Sequence, residues 1–343
     1  MMCKCPVCNN DITTLDGICK KCRFDIRNPY TVNEILSYRL DFWETLYEFN
    51  IHIGDKTILE KVDNLPKMDE IIVPFGVEII GRHAFSSCFG ARKVVIPNTV
   101  KMISPFAFYN SSIEEIFFES NSALEVIGEN AFENSKIREI TIPKSVKKIN
   151  SRAFSCCDYL KRFNCEKGIC ISSFGDKVFL CSGVEEVTLP DGIQTLDGEI
   201  FDQCNSLTFL HIPSTVITID MWAESEALKL LPDDLPDSVE YINGWNDSYY
   251  DWYDDEPQQY SIFPKKLKQL GYNALSGCSY LKNIVFHKNL ERIDDSAFSN
   301  CHNLQLAIIP ATAQVSESAF SGCSDSFCII RYTAQNDIEF FVK

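Results

Sequence analysis

The sequence has no apolar run as long as a bilayer-spanning segment, which needs about 18 residues or more. We therefore expect a soluble protein. Basic residues are also scarce, with 32 Lys and Arg against 48 Asp and Glu and a formal net charge of −16. Nucleic acids and anionic membrane surfaces attract clustered Lys and Arg, so this charge argues against both as main partners. The hydrophobic content of 45% still allows a large buried core.

Recognisable catalytic motifs are missing as well. The five histidines are scattered along the chain, and there is no Gly-rich phosphate loop, nucleophile elbow or HExxH helix. We therefore predict that the protein is not an enzyme. The N-terminal segment MMCKCPVCNN has polar residues where a secretory signal requires an apolar stretch. We expect a cytoplasmic protein whose thiols are reduced.

One pattern recurs through most of the chain: a small residue, then Phe, then Cys or Ser three places later, then a short β-branched run that often ends in Pro. The marker residues are about 22 to 25 residues apart within each run of repeats, at Phe85, Phe108, Phe132, Phe154, Phe179, Phe201, Leu275, Phe298 and Phe320. A period of this length is typical of a solenoid, in which each repeat buries its apolar face against its neighbours. Runs such as ITIP and VTLP predict one short parallel β-strand per repeat, ended by Pro.

The repeat unit is similar to a known family. The segment ITIPKSVKKINSRAFSCCDYLKRF resembles the BspA-like leucine-rich repeats, and the resemblance extends over residues 60–343. It implies a curved, leucine-rich-repeat-like solenoid, which we assign to residues 51–343, and a role in binding other macromolecules.

The middle residue of each predicted strand is expected to face outward and to form a column along the sheet. This column contains Ile72, Val95, Phe117, Thr141, Asn164, Thr188, His211, Val285 and Ile308. Phe117 and His211 are its candidate partner-binding residues. The alternative is that β-branched residues occupy this face for their strand propensity alone.

The repeat weakens after Ile219, and residues 243–259 form an insertion rich in aromatic and acidic side chains. Its candidate partner-binding residues are Trp245, Tyr249, Tyr250, Asp251, Trp252, Tyr253 and Asp254. Tyr and Trp dominate interface hot spots, and the acidic residues suit a basic protein surface. Two alternatives are a carbohydrate ligand and rings that fold over a gap left by the degenerate repeats.

Two CxxC pairs near the N-terminus predict a metal site formed by Cys5, Cys8, Cys19 and Cys22. Four thiolates in this spacing form the closed tetrahedral geometry of one structural Zn²⁺, although the sequence does not distinguish zinc from iron. The segment resembles the zinc-ribbon family, and we assign residues 1–28 to a ribbon. It serves as a folding staple or a protein-docking element; the alternative is a nucleic-acid contact through Lys20, Lys21 and Arg23.

An amphipathic helix is predicted at residues 29–50. Thr31 and Glu34 have capping-box spacing, and apolar residues recur on one helical face after them. A solenoid needs its open end covered, so we interpret this helix as a cap on the first repeat, with a partner-binding helix as the alternative.

These features together predict a non-catalytic protein-recognition module or scaffold. The partner would be a protein, with a basic surface if the insertion binds it, and the contact would lie on the sheet face, on the insertion at 243–259, or on both. The alternatives are a nucleic-acid-associated regulator that uses the ribbon and a carbohydrate-binding protein that uses the aromatic insertion.

Overall fold

The computed structural model describes residues 3–4, 11–12, 51–54, 58–62, 68–73, 76–220, 232–244 and 259–333. Three predicted features lie outside these residues: the four cysteines of the metal site, the helix at 29–50, and the aromatic and acidic residues from Trp245 to Asp254. The chain divides into two compact units, Met1–Val187 and Thr188–Lys343.

Most of the described repeats contribute two β-strands rather than the single strand that we predicted; in one repeat the 3₁₀ turn Pro232–Asp234 replaces the first strand. In one repeat, Glu139–Ile142 forms the first strand, Pro143 ends it, and Lys148–Ile149 forms the second strand one corner later. The second strand is only two residues long, and two residues cannot show the alternation by which strands are recognised in a sequence. A repeat with both strands supplies one strand to each of two parallel sheets.

The strands of the first unit, in chain order, are β1 Cys3–Lys4, β2 Asp11–Ile12, β3 Ile51–Gly54, β4 Ile58–Val62, β5 Met68–Ile72, β6 Ile79–Ile80, β7 Ala91–Ile96, β8 Met102–Ile103, β9 Glu115–Phe118, β10 Val126–Ile127, β11 Glu139–Ile142, β12 Lys148–Ile149, β13 Arg162–Cys165, β14 Ser173–Phe174 and β15 Glu186–Thr188, which ends at the unit boundary. One sheet has the order β5-β7-β9-β11-β13-β15 and the other β3-β4-β6-β8-β10-β12-β14. Neighbouring strands are parallel, except that β3 pairs antiparallel with β4. Strands β1 and β2 form a separate antiparallel pair.

The strands of the second unit are β16 Thr195–Asp197, β17 Phe209–His211, β18 Thr218–Asp220, β19 Tyr241–Asn243, β20 Ser261–Ile262, β21 Gln269–Leu270, β22 Asn283–Val285, β23 Arg292–Ile293, β24 Leu306–Pro310, β25 Gln314–Val315 and β26 Cys328–Tyr332. Strands β16-β18-β19-β21-β23-β25 form one parallel sheet and β20-β22-β24-β26 the other. Two 3₁₀ turns, Gly198–Phe201 and Pro232–Asp234, are the only helical segments among the residues that the structure describes. Each unit is therefore a parallel β-solenoid.

The Phe markers form the core, as predicted. Phe85, Phe108, Phe132 and Phe154 are fully buried and stack in sequence, with ring centroids 4.7, 5.0 and 5.1 Å apart. Complete burial of each ring contributes about 1.5–3 kcal/mol, and the offset stacks add to this. Because each ring touches the next repeat, the core is continuous although no single repeat could form one.

Most of the turns that carry a marker have two residues with left-handed backbone, which the sequence analysis did not predict, and the turns of Phe201 and Phe320 have one. In one repeat they are Asn130 and Asn134, with φ of 53° and 57°, and in the next they are Arg152 and Cys156, with φ of 56° and 53°. Between them the Phe132 amide donates to the Ala153 carbonyl at 2.8 Å. The turns thus stack through backbone hydrogen bonds as the strands do.

Three of the cysteines that stand three places after the marker make the same contact. The Cys157 thiol donates to the carbonyl of Phe132 at 3.0 Å, and Cys301 and Cys323 make the equivalent bonds at 3.2 Å to Leu275 and Phe298. The amide of Ser135 already donates to the Phe132 carbonyl at 3.0 Å, so the thiol supplies this buried oxygen with a second donor from the next repeat. Burial raises the pKa of the Cys157 thiol to about 12, so this cysteine is a packing residue.

Candidate partner-binding face

The outer side of the first unit's long-strand sheet carries the predicted column of outward residues. Ile72, Val95, Phe117, Thr141 and Asn164 lie side by side across five strands, in the register Ile72 to Val95, Val95 to Phe117, and Thr141 to Asn164. All five side chains are exposed or half-buried, whereas the residues before them, such as Val94 and Ile140, are buried. We call this column the open face, and its orientation confirms the prediction for these five residues.

Phe117 is the largest apolar side chain of the open face, and 47% of its surface is exposed. Strand β9 holds it in register with Val95 on β7. The Lys93 ammonium lies 4.2 Å from the centre of its ring, a cation–π contact that orients both side chains. The open face therefore presents a fixed aromatic ring with one cation beside it.

A column of charged residues runs beside the open face, at the preceding outward position of each strand. Its members are Glu70, Lys93, Glu115, Glu139, Arg162 and Glu186. Two ion pairs link neighbouring strands within it, Lys93 to Glu70 at 2.9 Å and Arg162 to Glu139 at 2.6 Å. Acidic residues outnumber basic ones, so this border of the open face is negatively charged.

A second charged network lies where the chain enters these strands. Arg92 donates two hydrogen bonds to Glu114, at 3.1 and 3.0 Å, and Arg138 contacts the same carboxylate at 3.0 Å. The hydrogen bond from Arg92 lowers the pKa of Glu114, and the charge of Arg138 acts in the same direction. This carboxylate is thus held ionised between two arginines and has a structural role.

His211 lies at an exposed position of β17 in the second unit. Phe117 belongs to the first unit, so the two candidate residues of the predicted column are placed on different units. The structure gives His211 an exposed strand position. We keep it as a surface residue of the second unit.

The prediction was wrong for Val285 and Ile308. Both were expected on the outward column, but both are fully buried and form a cluster with Tyr332, against which Ile262 and Leu306 also pack. Tyr332 on β26 explains part of this burial, because its hydroxyl donates to the Phe286 carbonyl at 2.9 Å, two strands away. Its side chain therefore lies across the sheet. We call Val285, Ile308 and Tyr332 the covered face.

Tyr332 is a residue that sequence reasoning missed. It is 5% exposed, and burial raises the pKa of its phenol to about 12. Its position in the repeat could have indicated this role. Tyr332 pairs with Pro310, which lies two residues after Ile308 and therefore on the same side of the sheet. A large amphipathic side chain at the end of the last strand, beside two apolar outward residues, indicates a cover for those residues.

No group of three or more His, Cys, Asp or Glu side chains suitable for a metal ion occurs among the residues that the structure describes. The predicted ligands Cys5, Cys8, Cys19 and Cys22 and the aromatic insertion lie outside those residues. Within the same described part of the chain, no helix has the length and apolar character that a membrane crossing requires.

A family model described as BspA type leucine rich repeat region matches residues 56–169, 117–231 and 248–335. The chain belongs to this family. The matched residues agree with the extent of the resemblance, residues 60–343, and the stacked two-strand repeats are the structural form of this BspA-type array. The open face is the exposed sheet surface of its first unit.

Several solved structures are similar to this BspA-type protein. A leucine-rich repeat protein from Bacteroides ovatus is 17% identical, with 82% of this chain and 97% of that chain covered and a TM-score of 0.42. The pneumococcal vaccine antigen PcpA is 17% identical, with 83% and 96% covered and a TM-score of 0.38. A leucine rich cell surface protein from Faecalibacterium prausnitzii is 17% identical, with 84% and 94% covered and a TM-score of 0.32. No curated protein matches the chain.

Proposed function

We propose that this chain is a non-catalytic recognition module that binds a partner protein on the open face. The observation that carries the proposal is Phe117, which is 47% exposed on a strand whose backbone is hydrogen-bonded on both sides. Exposed aromatic side chains dominate binding energy at interfaces, and a rigid sheet loses little conformational entropy when a partner docks. Membership of a leucine-rich repeat family supports this role, because such repeats generally mediate protein–protein contacts.

The charges beside the open face suggest the chemistry of the partner. Lys93 and Arg162 are each held by a glutamate, which leaves an acidic excess along the border. A partner with an apolar centre and a basic rim would match this arrangement, since complementary charges speed association and select the partner. We propose the aromatic and acidic residues of 243–259 as a second contact region for the same class of partner.

The test uses two exposed phenylalanines of the first unit. Phe117→Ser removes the aromatic ring of the open face, whereas Phe89→Ser removes a ring that is 65% exposed but lies off the long strands. A tagged chain would be used to capture partners from extracts of its native cell, and the affinity of a captured partner would then be measured with purified proteins. We expect Phe117→Ser to weaken binding at least about tenfold, the effect of losing a hot-spot residue. Equal binding by both variants would contradict the proposal.

A deletion of residues 245–258 separates the two contact regions. We expect it to weaken the same interaction while far-UV circular dichroism of the repeats stays unchanged, because insertions in solenoids fall on loops. Unchanged affinity after the deletion would remove the insertion from the proposed interface and leave the open face alone.

We also propose that Cys5, Cys8, Cys19 and Cys22 hold one structural Zn²⁺. The proposal is supported by the antiparallel pairing of Cys3–Lys4 with Asp11–Ile12, since these strands flank the first CxxC in sequence and a ribbon knuckle connects such a pair. Elemental analysis of the purified chain should give one zinc per chain, and Cys8→Ser should lose it. The matched control is Cys170→Ser, which alters an exposed cysteine of the repeats and should retain the metal. Iron in place of zinc, or metal retained by Cys8→Ser, would refute this assignment.

A further inference from the structure

Two half-exposed cysteines occupy the same position of successive turns at the end of the first unit. Cys156 follows its marker Phe154 by two residues, and Cys181 follows Phe179 in the same way. Both have left-handed backbone, with φ of 53° and 56°. The equivalent positions of other described turns hold Ser87, Asn110, Asn134, Gly277 and Asn300, so cysteine is not required there for folding.

Backbone hydrogen bonds fix these two cysteines side by side. The amide of Cys156 donates to the carbonyl of Leu180 at 2.7 Å, and that of Phe154 donates to Val178 at 2.9 Å. In a parallel ladder this pattern makes Cys156 and Cys181 direct neighbours, with Cα atoms about 4.8 Å apart. A disulfide requires Cα atoms roughly 4.4–6.8 Å apart and Cβ atoms that do not point away from each other. Residues with the same backbone conformation at one register position meet the second condition.

The neighbouring cysteine on the same turn is different. Cys157 is fully buried and its thiol donates to the Phe132 carbonyl, whereas the half-exposed Cys156 thiol lies 3.6 Å from the Ser155 hydroxyl. Cys156 and Cys181 are both half-exposed, and small-molecule oxidants reach accessible thiols and not buried ones. Cys156 and Cys181 are therefore both accessible and adjacent on neighbouring turns.

We propose that Cys156 and Cys181 form a redox-modifiable dithiol site that closes to an intramolecular disulfide in the presence of a low-molecular-weight disulfide such as oxidised glutathione. One protein thiolate attacks a sulfur of the small disulfide, which forms a mixed disulfide and releases one small thiol. The second protein thiolate then attacks the protein sulfur of the mixed disulfide and expels the other small thiol. The two cysteines lose two electrons and two protons in total, and one small disulfide becomes two thiols. The product links two adjacent turns of the solenoid.

The experiment is disulfide mapping of the full chain. Reduced protein is equilibrated with oxidised glutathione, free thiols are alkylated, and tryptic peptides are analysed by mass spectrometry without reduction. Cleavage at Arg152, Lys161 and Lys177 separates Cys156 from Cys181, so a cross-link joins two peptides. We expect this linked pair in the wild type and its loss in Cys156→Ser and Cys181→Ser.

The peptide that contains Cys156 also contains Cys157, so Cys157→Ser is the matched control and should retain the cross-link. This control should fold, because Ser111 and Ser135 occupy the equivalent position of other turns. Circular dichroism checks every variant, and if one of the Cys156 and Cys181 variants does not fold, the other makes the same test. The proposal is overturned if the cross-link persists in Cys156→Ser, disappears in Cys157→Ser, or is replaced by separate glutathione adducts on Cys156 and Cys181.

The oxidised wild type supplies an independent reading. A bond between turns constrains the unfolded chain, so its urea midpoint should exceed that of the reduced protein, and the difference should vanish in Cys181→Ser. Equal midpoints for a protein shown to be cross-linked would contradict a role of the bond in holding the turns together.

Discussion

The open face of the first unit and the covered face of the second are built by equivalent strands of the same repeat, yet solvent reaches only one of them. Strand β11 alternates between exposed and buried side chains, while all three residues of β22 are buried. Phe117 and Val285 occupy equivalent outward positions, and one is 47% exposed while the other is inaccessible. The repeat pattern therefore specifies which residues form the inner core. It does not specify whether the outward residues of a unit are exposed to solvent.

Introducing a carboxylate on one face or on the other should give the largest difference in the stability of the folded chain. Ile308→Asp would bury a carboxylate beside Val285 and Tyr332, which we expect to destabilise the chain by more than about 4 kcal/mol. Thr141→Asp is the matched change on the open face, where water solvates the carboxylate, and should cost less than about 1 kcal/mol. Urea unfolding followed by circular dichroism measures both. Similar costs for the two variants would mean that the faces do not differ in burial.

The covered face should also respond to alkaline pH. Burial raises the pKa of Tyr332 from its ordinary value of 10.0 to about 12. An acid whose pKa is higher in the folded state favours folding at pH below its unfolded value, and this stabilisation is lost as the pH rises from about 10 to about 12. We expect a loss of about 2 kcal/mol across that window.

Tyr332→Phe is the control for this pH dependence. It keeps the ring but removes the phenol that titrates and the hydrogen bond to Phe286. The variant should be less stable by about 1 kcal/mol at neutral pH and should show a smaller decline between pH 10 and pH 12. An unchanged alkaline slope would show that Tyr332 is not the group responsible.

The open face should tolerate the loss of its ion pairs. Arg162 and Glu139 are 2.6 Å apart, but both side chains are about half exposed, and water competes for each charge. We expect the urea midpoint of Arg162→Met to equal that of the wild type within error. We also expect salt to change the two midpoints equally. The contrary result would be a clear loss of stability in Arg162→Met, an equal loss in Glu139→Gln, and no further loss in the double variant. That result would indicate that the ion pair stabilises the fold.

The sequence predicted the core and the family correctly because both follow from periodic residues. Phe132 and Phe154 recur at one period and stack in the structure, and the Pro residues mark the ends of the first strands. The second strands, such as Lys148–Ile149, were missed because two residues contain no alternation to detect. The left-handed turn positions were missed because Arg152 and Phe106 occupy them in some repeats, and neither is a residue that favours that conformation.

The error on the covered face has a different origin. Val285 and Ile308 have the same local pattern as Val95 and Ile72, and local alternation predicts only which side of a sheet a residue faces. Whether that side is solvated depends on a side chain from a later strand, here Tyr332 on β26. Such a contact follows from the assembled register and not from the spacing within one repeat.

The ladder of Phe rings has a mechanical consequence. Phe108 contacts Phe85 on one side and Phe132 on the other. Each turn is likewise joined to the next turn by backbone hydrogen bonds. A stretching force applied to the two ends of the chain would therefore act on one repeat at a time. The array would lengthen in small, similar steps as each repeat separates from the next. Such a molecule absorbs work gradually where a globular domain would rupture in a single event.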